Sequence, residues 1–204
     1  MAQAKKPARV LDELPHVHPK SRAELRKWLE KHHETSLGMW LVTFKKETGK
    51  PRVEYDEVVR ELLCFGWVDS KVGKLDHERS LLLCTPRKPK SAWSASNKAR
   101  IEQLERDGLM RPRGIELVRL AKETGLWSKL DGVEMLEVPA DLGARLDALP
   151  PARPTFEGFP RSVKRGILEW IVQAKRPETR AARIEETATM AQRGERANQW
   201  RPKV

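Results

Sequence analysis

Residues 55–72 read Tyr55-Asp-Glu-Val-Val-Arg-Glu-Leu-Leu-Cys64-Phe-Gly66-Trp67-Val-Asp-Ser-Lys-Val72, and the change of rhythm inside this stretch sets the fold class. Tyr55, Val58, Val59, Leu62 and Phe65 recur at the three- and four-residue spacing of one helix face, and Gly66 supplies a stop. From Trp67 the period becomes two, the signature of a strand, which sends Trp67 and Asp69 to the same face. Gly73-Lys74 and a second apolar run from about Ser80 to Thr85 complete an antiparallel pair. Working outward, Ser21-Arg-Ala-Glu24 is a capping box ahead of Leu25, Trp28, Leu29 and His32, predicting a helix over about 22–34. Met39-Trp-Leu-Val-Thr-Phe44 is rich in β-branched and aromatic side chains and predicts a strand, followed by a charged turn through Lys45–Pro51. The expected class is α+β: a small antiparallel three-stranded sheet with amino-terminal helices, followed by a mostly α-helical carboxyl-terminal part.

That second part begins to show after Pro86. Ile101 and Leu104 mark a helix ending at Gly108. Ile115, Val118 and Ala121 mark another, opened by Pro112 and closed at Gly125. A short helix carries Leu142, Leu146 and Leu149, after which the prolines at 150, 151 and 154 predict a loop. Val163, Ile167, Trp170, Ile171 and Ala174 form the most regular stripe, and Pro177 opens the last helix. The expected division is a mobile tail over 1–14, an α+β domain over 15–112 and a helical domain over 113–204, whose helices are expected to cover the sheet.

Composition narrows the class of function. The chain has 204 residues, 39% hydrophobic and 34% charged, enough for one domain or two small ones. Its apolar runs are far shorter than the roughly 18 residues of a membrane-spanning helix. Cys64 and Cys84 are too few for a disulfide scaffold and point to a reducing compartment. The basic opening lacks the apolar stretch of a signal peptide, so the expected location is the cytoplasm. No phosphate loop, nucleophile elbow or zinc-protease motif occurs, and no cofactor is expected. His16, His18, His32 and His33 lack partners at metal-ligand spacing, and both thiols fall on apolar faces, which reads as structural packing.

The formal charge of +11 is unevenly placed. Residues 86–113 hold 8 basic and 3 acidic side chains, residues 153–204 hold 12 and 6, and the remainder balances. An anionic partner is the expectation: a small molecule, an acidic protein surface or nucleic acid. Site chemistry concentrates in 65–98. Trp67 and Asp69 share a strand face, and a carboxylate there requires a partner or solvent, for which Arg87, Lys88 and Lys90 on the proline-stiffened connection are the candidates. Ser91, Trp93, Ser94 and Asn97 add polar and aromatic groups near a helix start, and Trp40 and Lys45 lie on and just past the first strand. Together they predict a ligand pocket.

These residues also carry a resemblance. Trp40-Leu-x-x-x-Lys45, Leu62-x-Cys64-Phe-Gly-Trp-x-Asp69, Thr85-Pro-Arg-x-Pro-x-Ser-x-Trp-Ser-x-x-Asn97, Gly108-x-Met110-x-Pro112-x-Gly114 and Ala174-Lys-x-x-Glu178-Thr-Arg-x-x-Arg183-Ile resemble the YdeI/OmpD-associated family over about residues 20–195. The resemblance implies an α+β amino-terminal domain, a helical carboxyl-terminal part and a role in bacteriocin protection or stress resistance, with no assigned reaction. The leading expectation is a non-catalytic protein binding an anionic small molecule or protein partner through Trp40, Lys45, Trp67, Asp69, Arg87, Ser91, Trp93, Ser94 and Asn97. Two alternatives are a nucleic-acid binder using segments 86–113 and 153–204, and an enzyme acting on a small anionic substrate with Asp69 as general base.

Overall fold

The stripe beginning at Tyr55 forms its helix and stops at the glycine. In the computed structural model, which describes residue 11 and residues 13–199, Gly66 takes φ +69°, the left-handed conformation that closes the turn. Upstream lie β1 (His16–Val17), α1 (Arg22–His32), β2 (Met39–Phe44) and a 3-10 turn (Lys46–Thr48). The stripe itself is α2 (Tyr55–Cys64), followed by β3 (Trp67–Lys74) and β4 (Arg79–Pro86). Helices then continue: α3 (Ala95–Arg106), α4 (Pro112–Glu123), α5 (Asp131–Glu134), α6 (Ala140–Asp147), α7 (Ala152–Glu157), α8 (Arg161–Val172) and α9 (Pro177–Gln192).

The described chain divides into two compact units, one running to Ser91 and resuming over Ser96–Thr124, the other made of Ala92–Ala95 and the residues from Gly125. The division differs from the expected boundary at 112/113 because α4 packs with α2. Gly114 of α4 lies so close to the end of α2 that a Cβ there would sit 2.4 Å from the Cys64 carbonyl oxygen.

The sheet corrects one expectation. It has four strands, not three, and is mixed: the order is β1-β2-β4-β3, with β1 parallel to β2 and the other pairs antiparallel. Two residues, His16 and Val17, are too short to produce a period-two signal, so β1 is invisible in the sequence. It exists through pairing, His16 opposite Trp40, and the Trp40 amide donating to the Pro15 carbonyl (2.9 Å). Met39, Leu41, Leu82, Cys84 and Trp67 share one face, on which Trp28 of α1 meets Trp67 edge-on at 5.9 Å. Leu25, Leu29, Val58, Val59, Leu62 and Leu63 bury the helix side of this layer, so α1 and α2 cover that face within the first unit.

Of the tail expected to be mobile, residues 1–10 and 12 lie outside the described residues. Leu11 is held, its carbonyl accepting from Trp40 Nε1 at 2.9 Å. At Ser21 the hydroxyl caps Glu24 N (3.3 Å) as expected, while the Glu24 carboxylate takes the Lys20 amide rather than that of Ser21. Helix α3 stops where expected: Gly108 (φ +64°) and the bond from Leu109 N to Leu104 O (3.0 Å) form a Schellman motif.

In the second unit, Leu142, Leu146, Phe156, Ile167, Leu168, Ile171, Ile184, Ala188 and Ala191 make the core. The loop expected from the prolines at 150–154 is instead interrupted by α7. Pro154 stands in its first turn, where the missing N–H has no helical acceptor to lose, so proline does not oppose the helix.

One histidine sets a pH dependence. His18 packs edge-on to Phe44 (4.7 Å between rings), and its buried Nε2 makes no hydrogen bond among the described residues. Burial, with Arg79 and Lys20 nearby, holds its pKa below the usual value. The unfolded chain therefore takes up the proton first, and stability falls as pH drops below about 6.5 until the folded-state pKa is reached. We expect the thermal midpoint to fall between about pH 7 and 5, with a smaller decline in His18→Gln. Equal declines in the two proteins would remove His18 as the source.

Candidate functional site

Strand alternation placed Trp67 and Asp69 on one face, and the β3–β4 register agrees, pairing Trp67 with Pro86 and Asp69 with Cys84. Their surroundings differ sharply. Trp67 is 1% exposed, with Nε1 donating to the His33 carbonyl at 3.2 Å. Asp69, half-buried, accepts from the hydroxyl of Tyr55 at 2.8 Å. The first residue of α2 thus reaches down to the sheet carboxylate. The next residue, Asp56, accepts from Arg60 Nε (2.6 Å) and Arg100 Nε (2.8 Å), and Arg100 in turn donates to the Asn97 side chain (3.3 Å). Asp69 and Asn97, both predicted site residues, therefore belong to one polar cluster around the start of α2.

The other predicted residues are distributed. Trp40 is half-buried on the opposite sheet face, since its partner Leu83 alternates with Cys84. Lys45 donates to the His77 carbonyl (2.7 Å) by the β3–β4 turn, and the Ser91 amide donates to the Lys88 carbonyl (3.0 Å). Arg87 is 6% exposed, its backbone N–H donating to Gly66 O, and burial lowers its guanidinium to about 10. Trp93 and Ser94 belong to the second unit, where Trp93 is buried beside Trp127 at 5.3 Å. Both thiols are buried, and burial raises the pKa of each. Among the described residues no cluster of three His, Cys, Asp or Glu could hold a metal ion, and no helix is long and apolar enough to cross a membrane.

Sequence reasoning missed Tyr55, Asp56 and Arg100, reading Tyr55 only as the first apolar residue of a stripe. The available signal was Asp69 itself: a carboxylate facing the helix layer requires a donor from that layer. It also missed Glu61, 1% exposed and bound by Arg22 Nε (2.6 Å) and an Arg26 guanidinium nitrogen (2.8 Å).

Tyr55 offers a direct readout because it is the chain's single tyrosine. Partial burial of the hydroxyl and the adjacent Asp69 carboxylate push its pKa up to about 12. The unfolded chain ionises first, so this pair's contribution to stability is lost as pH rises above about 10. Tyrosinate absorbance is expected to titrate near 12 in the folded protein, and to move back toward about 10 in Asp69→Asn. An unchanged midpoint in that variant would show that the carboxylate does not act on the phenol.

In the second unit, a groove of about 470 Å³ lies between α6 and α9, with Pro177, Ala181 and Ile184 as its apolar part. Two double-bonded ion pairs flank it: Arg180 with Asp141 (2.7 and 2.9 Å) and Arg145 with Glu185 (2.6 and 2.7 Å). The motif Glu178-Thr-Arg180-x-x-Arg183-Ile184 opens α9. Its Arg180 ties α9 to α6, its Arg183 lies 4.9 Å over the Trp170 ring and bonds the Trp170 carbonyl, and its Ile184 enters the core.

Comparison with known families divides the chain in a similar way. Residues 17–117 match a domain of unknown function (DUF8412). Residues 135–194 match the family described as Bacteriocin-protection, YdeI or OmpD-Associated. No curated protein and no solved structure matches the chain. The resemblance read over 20–195 is thus met by a family match in its carboxyl-terminal part, and segment 135–194 belongs to the YdeI/OmpD-associated family.

Proposed function

We propose that this chain is a non-catalytic binding protein of the YdeI/OmpD-associated kind, acting in the cytoplasm in stress or bacteriocin resistance by holding an anionic small molecule or an acidic protein partner. The observation that supports it is how the cations are used in the first unit. Arginines are spent on carboxylates: Arg22 and Arg26 on Glu61, Arg60 and Arg100 on Asp56, Arg111 on Glu30. Lys71, Lys74, Lys88 and Lys90 are exposed and meet no carboxylate among the described residues. Their charge is available to a partner, and ammonium groups on flexible stems suit a diffuse acidic surface. Lys45, Ser91 and Asn97 of the predicted set lie on the same unit as contact residues, while buried Trp67 and Arg87 hold the strand and connection that display the lysines.

The test uses fluorescence anisotropy with labelled polyglutamate and a labelled DNA duplex. Polyglutamate is expected to bind at low salt, to weaken severalfold between about 50 and 300 mM salt, and to be lost when all four lysines become glutamate. Tighter binding of the duplex would replace this reading with the nucleic-acid one, and no binding of either would end both.

A further inference from the structure

The partner surface can be narrowed to the free edge of β3. We propose that β3 accepts an extended acidic peptide as an additional strand; this deepens the binding reading above and rests on it. Among the described residues β3 pairs with β4 alone, so the other edge of this eight-residue strand has no ladder partner, and its exposed part is Ser70–Val72 and Lys74. The hydrogen-bonding phase of that edge follows from its ends. Arg87 N donates to Gly66 O, and Leu75 N donates to Arg79 O, so the Gly66/Arg87 and Leu75/Arg79 pairs are bonded. In an antiparallel ladder bonded and non-bonded pairs alternate. Val72 and Lys74 therefore turn their backbone N–H and C=O groups away from β4, as do Trp67 and Asp69 before the register shift between Asp69 and Val72.

The side chains select the occupant. Val72 is 72% exposed, an apolar residue standing in the open middle of the free edge. Lys71 and Lys74 flank it, both exposed. A second copy of this chain pairing through the same edge would set lysines against lysines, which disfavours self-association. An acidic strand with an apolar centre would meet Lys71 and Lys74 with carboxylates and Val72 with an aliphatic side chain, while its backbone satisfies the outward groups.

The probe is an acetylated, amidated peptide of sequence Glu-Glu-Val-Val-Glu-Glu, which presents acid, apolar and acid side chains on either face. It is expected to bind the full chain, with a new strand signal in isotope-edited infrared spectra of the labelled peptide. Val72→Pro removes one outward N–H and leaves the β4 ladder intact, and is expected to weaken binding about tenfold. The joint change Lys71→Glu with Lys74→Glu is expected to abolish binding, and Lys88→Glu with Lys90→Glu to leave most of it. Methylating alternate peptide nitrogens tests the same bonds without altering the protein. Equal affinity for the plain and methylated peptides would overturn strand addition while polyglutamate binding stands. Failure of both the peptide and polyglutamate would sink the binding reading as well. Dimers formed through β3, detected by sedimentation and broken by Val72→Pro, would overturn the choice of partner.

Discussion

Glu61→Ala is expected to destabilise the amino-terminal unit by about 3–5 kcal/mol, the cost of removing one partner from a buried ion-pair network. The carboxylate is 1% exposed and sits on the buried face of α2 among Val58, Leu62 and Cys64. Its two oxygens are bound separately, one by Arg22 and the other by Arg26. Arg26 also donates to the Leu109 carbonyl at 3.0 Å and lies 5.4 Å over the Phe65 ring, so it cannot leave without opening further contacts. Deleting Glu61 leaves the Arg26 guanidinium, 19% exposed, with only the longer contact to the Glu30 carboxylate (3.7 Å) as counter-charge. Denaturant unfolding followed by tryptophan fluorescence is the measurement. Glu61→Gln, which keeps an acceptor, should lose less than Glu61→Ala. A loss below about 1 kcal/mol for the alanine variant would mean that water replaces the carboxylate and that the network contributes little.

Gly114→Ala comes next, at about 3 kcal/mol, the upper range for forcing atoms into a packed interior. A Cβ at this position would stand 2.4 Å from the Cys64 carbonyl oxygen and 2.9 Å from that of Leu63. The obstacle is backbone, which yields only if α4 withdraws from the end of α2. Withdrawal would also break the bond from Arg111 N to Cys64 O (3.0 Å), one of the orphan carbonyls at that helix end. Gly49→Ala is the comparison: nothing lies within 4 Å of its would-be Cβ, so the cost there reflects only the φ of +64°. If Gly114→Ala unfolds at the wild-type denaturant concentration, backbone contact between α4 and the end of α2 does not constrain this position.

Legibility in the sequence followed the length and regularity of each element. Strand β2 has the bounds its sequence predicts, 39–44, because six apolar, aromatic or β-branched residues, four of them strong β-formers, stand between Gly38 and Lys45-Lys46. The stripes of α2 and α8 were equally plain, since burial of one face imposes a period on many residues at once. By contrast β1 and α7 escaped, the first through shortness, the second because prolines that end most helices are tolerated in a first turn. In the candidate site, the sharing of a face by Trp67 and Asp69 was legible, as it needs only the two-residue period. The partner of Asp69 was not. Its neighbour Tyr55 lies fourteen residues away on another element, and only the packing of α2 over β3 brings the hydroxyl to 2.8 Å.

Taken alone, the sequence determined the α+β class, most helices, two of the four strands almost to the residue, and the excess of positive charge, because these depend on local period and composition. Tertiary structure decided which charges are spent and which remain available. Arginines spread over the chain converge on Glu61 and Asp56, while the lysines of β3 and of the connection after β4 are left facing water. Pairing of this kind depends on distances between elements remote in the chain, and no periodicity along the chain encodes those distances.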